Sequence, residues 1–404
     1  MARVNLDHHQ GRTDYFHDVV LINLIYWLSW LGEAENGIVE RLDYERDNIV
    51  KAISLGLDLG YPANADVHQL LVDFSAYMER RGPGDVWQRI LIKSVRVAEQ
   101  SGDEEKLVTR LALLARLLYR QSRFRESMAY YRRTIRLSRK IGDLYEEARA
   151  CTNLGFAFIE QEHWYRGEVL CCHALNIFAQ LGSRHGVAHT HNHLGFLYTQ
   201  RGPYHQAQYH LEQACAIWQE RDDPHGLMLG CMNLGGLYVY MALSDQAIVH
   251  SEKAIRLAQQ VGEEQELGVI YTNLGMAYLT QGDLAAAESY SLKAEQISRD
   301  FADSYLLATV QENLGKIYVT LADWEQARLY LDAASSAWRL MGYKHGQTQI
   351  AIYMAEYEFG QDNRVGVDNW LAQAENLLAQ QAVSARYDRL KSQINKIRHS
   401  LNCS

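Results

Sequence analysis

One short pattern recurs along the chain at a constant spacing. A Leu-Gly pair follows an asparagine or a histidine, and in four of the five copies a tyrosine comes three residues after the glycine. The five glycines are 40 residues apart, at Gly155, Gly195, Gly235, Gly275 and Gly315. Self-similarity at a fixed period of about 20–50 residues is typical of arrays in which one supersecondary unit stacks on the next. A chain of 404 residues can then form without separate globular domains, because each unit packs only on its neighbours.

The same frame extends beyond the five clear copies. Ser75 and Ala115 take the place of the glycine before them, and Ala355 takes it after them. Glycines that suit a left-handed turn at the end of a helix recur in register, at Gly102, Gly142, Gly182, Gly262 and Gly342. The chain has only four prolines, which favours long uninterrupted helices. We therefore predict an all-α fold, a right-handed superhelix (α-solenoid) of about eight helix-turn-helix units.

The two ends of the chain depart from the frame. Apolar residues at helical spacing over residues 15–31 and 38–57 predict helices that precede the array. We expect an N-terminal helical arm over residues 1–65, the repeat array over residues 66–370, and a capping helix over residues 371–404. A cap is needed because the exposed face of a terminal repeat would otherwise aggregate.

Composition narrows the classes of partner. A net charge of −9 argues against a nucleic-acid-binding surface, which is normally basic. The apolar run over residues 21–31 is too short to cross a membrane. Six cysteines without a C-x-x-C pair predict free thiols in the reducing cytoplasm. The pair Gly315-Lys316 has no glycine five residues earlier, so it is not a phosphate-binding loop, and we expect no cofactor.

Alanines accompany the Leu-Gly-x-x-Tyr pattern at two fixed offsets in the second helix of each unit. One column is Ala207, Ala247, Ala287 and Ala327, and the other is Ala174, Ala214, Ala254, Ala294 and Ala334. Together these patterns resemble the tetratricopeptide repeat, a helix–turn–helix unit of about 34 residues. The 40-residue period is similar to the longer subclass found in kinesin light chains, in spindle-orientation adaptors and in bacterial signal-transduction ATPases. The resemblance covers about residues 66–380.

A second resemblance lies in the N-terminal arm. The run Leu42-Asp43-x-Glu45-x-Asp47-Asn48-Ile49 resembles the helical segment that precedes the repeats in signal-transduction ATPases with numerous domains, such as the maltose-regulon activator. This resemblance implies that the repeats are a bacterial regulator's sensor, which binds an inducer and releases autoinhibition. It also implies a nucleotide-binding domain upstream in the full-length protein.

The first helix of each unit carries a column of side-chain amides. In related repeat proteins this column holds the backbone of an extended peptide in the concave groove, so the resemblance implies a peptide, a protein or a small inducer as the ligand. An amide both donates and accepts, which satisfies a peptide unit without selecting its side chain. The expected groove residues are Arg149, Asn153, His189, His193, Asn233, Tyr240, Asn273 and Asn313. Alternatively, the asparagines hydrogen-bond the neighbouring helix and maintain the stack.

Histidines concentrate in the middle of the chain, where ten of the sixteen lie between His163 and His250. His185, His189 and His193 share one helical face, and two histidines four residues apart can chelate zinc. No third type of ligand follows at a suitable spacing, so we favour a polar groove without metal. An enzyme is disfavoured because no nucleophile–base or paired-carboxylate arrangement stands outside the packing frame. Two functions stay open: a sensor that passes ligand binding to attached domains, and an adaptor that bridges two proteins.

Overall fold

The computed structural model describes residues 2–32, 38–60 and 64–403. Within these ranges the chain forms nineteen α-helices and no strand. Not one of these helices has the length and apolar content that crossing a membrane requires. The chain divides into two compact units, Met1–Leu181 (unit 1) and Gly182–Ser404 (unit 2).

Unit 1 contains the first eight helices. They are α1 (Ala2–Gly32), α2 (Ile38–Leu59), α3 (Asn64–Arg80), α4 (Gly84–Ser101), α5 (Glu104–Arg120), α6 (Phe124–Ile141), α7 (Leu144–Glu160) and α8 (Trp164–Gln180). Leu24 of α1, Ile53 of α2 and Phe74 of α3 are fully buried in one apolar core. The predicted N-terminal arm therefore shares its core with the first repeat. Residues 33–37 and 61–63 of that arm lie outside the described ranges.

Unit 2 contains the other eleven helices. They are α9 (Arg184–Arg201), α10 (Tyr204–Glu220), α11 (Pro224–Tyr240), α12 (Ser244–Val261), α13 (Glu264–Gln281), α14 (Leu284–Asp300), α15 (Ser304–Leu321), α16 (Trp324–Met341), α17 (Lys344–Gly360), α18 (Arg364–Leu378) and α19 (Ala385–Cys403). From α3–α4 to α17–α18, consecutive helices pair into eight hairpins. The predicted all-α fold of about eight helix-turn-helix units is confirmed.

A residue with positive φ occurs every 20 residues from residue 102 to residue 362. These residues are Gly102, Ser122, Gly142, Glu162, Gly182, Gly202, Asp222, Ala242, Gly262, Gly282, Ala302, Ala322, Gly342 and Asp362. Each lies in a turn between two helices, where the chain reverses. Several of the following helices begin with a cap such as Asp143 or Asp223, whose carboxylate accepts a backbone N–H three residues later, at 3.0 and 2.9 Å. The five glycine turns that we predicted are confirmed, whereas the sequence did not indicate the turns without glycine.

Small residues set the distance between the two helices of a hairpin. A methyl group at Gly315 of α15 would lie only 2.6 Å from Cδ2 of Leu331 on α16. Alanines in the two predicted columns, such as Ala207 and Ala334, are fully buried. This close packing explains why small residues recur at the same positions of the 40-residue pattern, because a larger side chain there would clash with the neighbouring helix.

Two predicted domain boundaries fall within helices. Residue 66 lies in α3, two residues after that helix begins, and residue 371 lies in the middle of α18. Leu371 and Leu378 of α18 are buried in the core that this helix shares with α17, so α18 is the second helix of the last hairpin. The segment over 371–404, for which we predicted a capping helix, thus contains the second half of α18 followed by α19, which begins at Ala385.

Candidate functional site

The first helices of the hairpins in unit 2 form a closed ring together with α19. α9, α11, α13, α15 and α17 contact one another in that order, and α19 contacts both α17 and α9. On one face of α19, Leu390 and Ile394 are buried in the same apolar cluster as Leu371 of α18. At the other edge, Ala385 lies beside Gly202, which ends α9. The last helix of the chain therefore occupies the gap between α17 and α9.

Six side chains converge inside this ring, and we call them the central cluster. They are Tyr240 of α11, Tyr305 and Glu312 of α15, Tyr343 at the start of α17, and Arg386 and Arg389 of α19. The helices α11, α15 and α19 are not neighbours around the ring, so side chains that bring them together lie in its interior. Polar and charged groups from three helices that are not neighbours thus meet at one place in the ring.

The two arginines of the central cluster contact tyrosines. Arg386 donates a hydrogen bond of 2.7 Å from Nη1 to the hydroxyl of Tyr343. The guanidinium carbon of Arg389 lies 4.6 Å from the centre of the Tyr240 ring, a cation–π contact. Burial raises the pKa of Tyr240, but the charges of Arg386 and Arg389 and a hydrogen bond from Arg386 outweigh it, so this pKa is lower than usual. Positive charge therefore dominates this part of the ring.

Aromatic rings and a single carboxyl group complete the central cluster. The ring of Tyr305 lies 5.1 Å from that of Trp338 and 5.6 Å from that of Tyr343. Trp338 donates a hydrogen bond of 2.9 Å from Nε1 to the carboxyl group of Glu312. Burial raises the pKa of Glu312 to about 8, even though this hydrogen bond and the two arginines act in the opposite direction. At neutral pH, Glu312 is therefore mostly protonated.

The asparagines predicted to line the groove connect successive first helices. Asn233 Nδ2 of α11 donates a hydrogen bond of 2.9 Å to Asn192 Oδ1 of α9, and Asn273 Nδ2 of α13 donates one of 3.1 Å to the carbonyl oxygen of Met232. Asn313 is buried on α15. The structural role that we weighed as the alternative is thus present at Asn233 and Asn273. Each of these hydrogen bonds uses one N–H of the asparagine side chain. The side-chain carbonyl oxygen and the second N–H could contact a ligand only where they are exposed in the ring interior.

The predicted histidines form an aromatic group on α9. The ring of His189 lies 4.4 Å from that of His185 and 5.3 Å from that of Trp218. Burial, followed by the charges of His185, His193 and His225, lowers the pKa of His189 to about 3. The imidazole of His189 is therefore neutral at pH 7 and packs against Trp218. In the described part of the chain, these histidines are not among the side chains that converge as a possible three-ligand metal group.

Two predicted site residues belong to unit 1. Arg149 of α7 forms an ion pair of 2.7 Å with Glu146, one turn earlier on the same helix. Asn153 lies one turn later and is half-buried. The other six predicted residues, His189, His193, Asn233, Tyr240, Asn273 and Asn313, belong to unit 2. Of all eight, Tyr240 is the one that joins the central cluster.

Unit 1 also brings together Glu147, Cys151 and His173, whose ligand atoms lie within 4.8 Å of one another. The oxygen Oε1 of Glu147 lies 2.8 Å from Nε2 of His173 and accepts a hydrogen bond of 2.8 Å from Nε of Arg139. Burial raises the pKa of Glu147, but these two hydrogen bonds outweigh it and lower that pKa. An arginine on the same oxygen neutralises the carboxylate, so an ion-pair network accounts for this cluster.

Comparison with known families supports the repeat assignment. Models of the tetratricopeptide repeat match residues 107–141, 228–300 and 266–339. These segments are tetratricopeptide repeats, as the Leu-Gly frame predicts. No curated protein sequence matches the chain.

Several solved structures share the fold. Aspartyl phosphate phosphatase F from Bacillus subtilis is similar with a TM-score of 0.56 and 13% identity, over 90% of this chain and 94% of that one. The apo form of the quorum sensor NprR from B. thuringiensis gives a TM-score of 0.55 and 15% identity, over 89% of this chain and 99% of that one. At these identities the similarity extends to the fold alone.

A Signal Transduction ATPase with Numerous Domains (STAND) protein with a tetratricopeptide repeat sensor, from Pyrococcus horikoshii, is also similar. Its TM-score is 0.53 at 13% identity, and the match covers 90% of this chain and 56% of that protein. The chain therefore spans a little more than half the length of the ATPase.

Proposed function

We propose that this chain is a non-catalytic sensor that binds a peptide, a protein or a small inducer inside the ring of unit 2. The observation that carries the proposal is the central cluster, where polar and aromatic side chains from α11, α15 and α19 meet inside a helical ring. Tyr305 is 51% exposed and the other five side chains are partly exposed, and polar, charged and aromatic groups that meet around one accessible place are typical of a binding site. The fold shared with the STAND sensor and with NprR supports the same function.

In this proposal, the ligand signal passes to attached domains. The resemblance of the N-terminal arm to STAND proteins supports a nucleotide-binding domain upstream in the full-length protein. The five cysteines whose side chains the structure describes are free (Cys151, Cys171, Cys172, Cys215 and Cys231), which supports a cytoplasmic setting. The gene sequence upstream of these residues tests this context. If it encodes no phosphate-binding loop, the chain is not part of an ATPase, but the proposed binding function is unaffected.

The test is a thermal-shift screen of the full chain with peptide pools, metabolites and host lysate fractions. A ligand at 100 times its Kd stabilises the protein by about 2.7 kcal/mol, which is readily detected. A hit should be lost in Tyr240→Leu, which removes a ring from the central cluster. It should persist in the matched control Tyr165→Leu, because Tyr165 is a 76% exposed tyrosine of unit 1. A hit that Tyr240→Leu leaves intact would place the ligand elsewhere.

One observation favours a second candidate, an adaptor that bridges two proteins. α1 exposes several large apolar side chains on its surface, among them Tyr15, Ile22 and Tyr26. Exposed apolar patches often mark contacts with other proteins. If the adaptor function is correct, only protein fractions give hits in the screen, and Ile22→Asp abolishes them while Tyr240→Leu does not.

A further inference from the structure

We propose that the ring of unit 2 binds an anionic group, a carboxylate or a phosphate, at Arg386 and Arg389 of α19. This inference rests on the proposed function and deepens it, because it names the chemistry by which the ligand is recognised. It follows from where positive charge lies in the ring and from which groups face it.

The two arginines point at the same tyrosine. They lie three residues apart on α19, and both act on Tyr240: Arg389 through the ring contact at 4.6 Å, and Arg386 through a hydrogen bond that its guanidinium donates. Arg386 also donates to the hydroxyl of Tyr343 at 2.7 Å. Two guanidinium groups are thus directed to one place in the ring interior.

Arg389 lacks a partner of opposite charge. Its Nε is buried and has no hydrogen-bond acceptor, and no ion pair joins Arg389 to a carboxylate in the described part of the chain. Asp388 precedes it on α19 but is exposed to solvent. Arg389 as a whole is partly exposed, so its guanidinium group is open to a ligand that supplies this counter-charge.

The other described titratable groups near Arg389 do not supply a counter-charge. Glu312 accepts the indole N–H of Trp338, and burial raises the pKa of its carboxyl group to about 8. Burial and the two arginines hold the pKa of His345 well below its usual value, so that imidazole is neutral. Lys316 on α15 adds a positive charge, but Glu356 pairs with it at 2.7 Å. Among the described residues, Arg389 therefore carries a positive charge inside the ring that no carboxylate pairs.

An oxyanion fits this set of donors. A guanidinium group presents a planar fork of N–H donors that matches a carboxylate or a phosphate. The hydroxyls of Tyr240, Tyr305 and Tyr343 can donate to the same ligand. The ligand group is therefore an oxyanion, carried either by a peptide or acidic metabolite as a carboxylate or by a phosphorylated molecule.

The test is thermal unfolding of the full chain at pH 7 and constant ionic strength, with sodium chloride replaced stepwise by inorganic phosphate or by acetate. We expect the Tm to rise saturably, by about 3 °C at 100 times the Kd. Arg389→Gln should abolish the rise. The matched control is Arg398→Gln, because Arg398 lies on the same helix but is half exposed and pairs with Glu375 at 2.9 Å. That control should respond like the wild type.

The Tm of the variants in chloride, without phosphate or acetate, tests the proposal independently of the anion response. Arg389→Gln removes an uncompensated charge, so its Tm in chloride should equal or exceed that of the wild type. If that variant does not fold, Arg389→Lys, which keeps the charge and loses the fork, should fold and respond at least several-fold more weakly. Absence of any response in the wild type, or an equal response in the Arg389 variant, would overturn the proposal.

The variant Glu312→Gln distinguishes two sources of negative charge for Arg389: an anion from solution and the carboxylate of Glu312. If the ring awaits an external anion, this variant responds to phosphate or acetate as the wild type does. If Glu312 is the counter-ion, the variant loses stability in chloride and gains a response that the wild type lacks, and the proposal fails.

The two anions distinguish the sources of the ligand group. A response to phosphate alone indicates a phosphorylated ligand, and a response to acetate indicates a carboxylate. The outcome is also separable from that of the proposed function. If the screen finds a ligand whose binding does not depend on Arg389, this inference is wrong and the proposed function stands. If anions stabilise the protein through Arg389 but no peptide, protein or inducer binds, the proposed sensor function is wrong.

Discussion

Asn233 on α11 holds Asn192 on α9 through a hydrogen bond of 2.9 Å from Nδ2 to Oδ1. One repeat later, Asn273 on α13 donates to the backbone of Met232 on α11 at 3.1 Å, so the contact recurs with a different acceptor. Asn192 lies one position before the repeating frame, and its side chain is only 6% exposed. These amides therefore connect successive first helices.

Asn233→Ala should lower the free energy of unfolding by about 1–3 kcal/mol, because it leaves the buried oxygen of Asn192 without a donor. Urea unfolding of the single variants and of the Asn192→Ala/Asn233→Ala double variant gives the coupling between the two residues. We expect a coupling energy of at least about 0.5 kcal/mol, since the two side chains are in contact. Strictly additive losses would mean that the hydrogen bond contributes nothing to stability.

Gly315→Ala should destabilise the protein by about 1–3 kcal/mol through overpacking. The added methyl group would lie 2.6 Å from Cδ2 and 2.8 Å from Cγ of Leu331, which is fully buried, and 3.3 Å from its backbone nitrogen, so the leucine has to shift. The matched control is Gly236→Ala in another first helix, where the nearest atom of Asn273 lies 3.5 Å away.

At Gly236 the substitution should be neutral or should stabilise by up to about 1 kcal/mol, because alanine is the better helix former. Urea unfolding of both variants measures the contrast. Equal losses at the two positions would show that close packing against Leu331 does not explain the glycine of the frame.

The repeat frame was predictable because it depends on contacts that recur in every unit. The Leu-Gly pair and the alanine columns fill the same space each time, so the sequence repeats where the packing repeats. The central cluster occurs once. Arg386 and Arg389 lie beyond the array, and their position depends on α19 fitting between α17 and α9, which no periodic pattern encodes. Tyr240 is among the expected groove residues, whereas nothing in the sequence marks Glu312 as the acceptor of the indole N–H of Trp338.

Glu312 should make the protein less stable as the pH rises towards 8. Its pKa is about 8 in the folded chain and about 4.5 in the unfolded one, so the folded chain binds more protons between these values. The stabilisation is complete below about pH 4.5 and is lost as the pH rises through 8. The window from pH 6.5 to 8 is informative because Glu312 begins to lose its proton there in the folded chain, whereas His189, with a pKa of about 3 in the folded chain and about 6.5 in the unfolded one, contributes mostly below pH 6.5.

In Glu312→Gln the loss of stability between pH 6.5 and 8 should be smaller than in the wild type, by up to about 1.4 kcal/mol per pH unit. The amide oxygen of glutamine can still accept the indole N–H of Trp338, so packing is preserved. Urea unfolding at both pH values gives the difference. If the two proteins lose the same free energy over this window, the carboxyl group of Glu312 is not protonated in the folded state.

His189 should make the protein less stable as the pH falls, which is opposite to the effect of Glu312. Its pKa is about 3 in the folded chain against about 6.5 in the unfolded chain, because burial beside Trp218 and the neighbouring histidines disfavour the charged ring. The unfolded chain therefore binds more protons between pH 3 and 6.5, and stability is lost as the pH falls through this range.

His189→Phe keeps an aromatic ring against Trp218 and cannot be protonated. Relative to the wild type, it should lose less stability between pH 4.5 and 3, by up to about 1.4 kcal/mol per pH unit. The contribution of Glu312 over this range is the same in both proteins. Urea unfolding at the two pH values measures the difference, and parallel losses in both proteins would place the imidazole of His189 in contact with water rather than in the core.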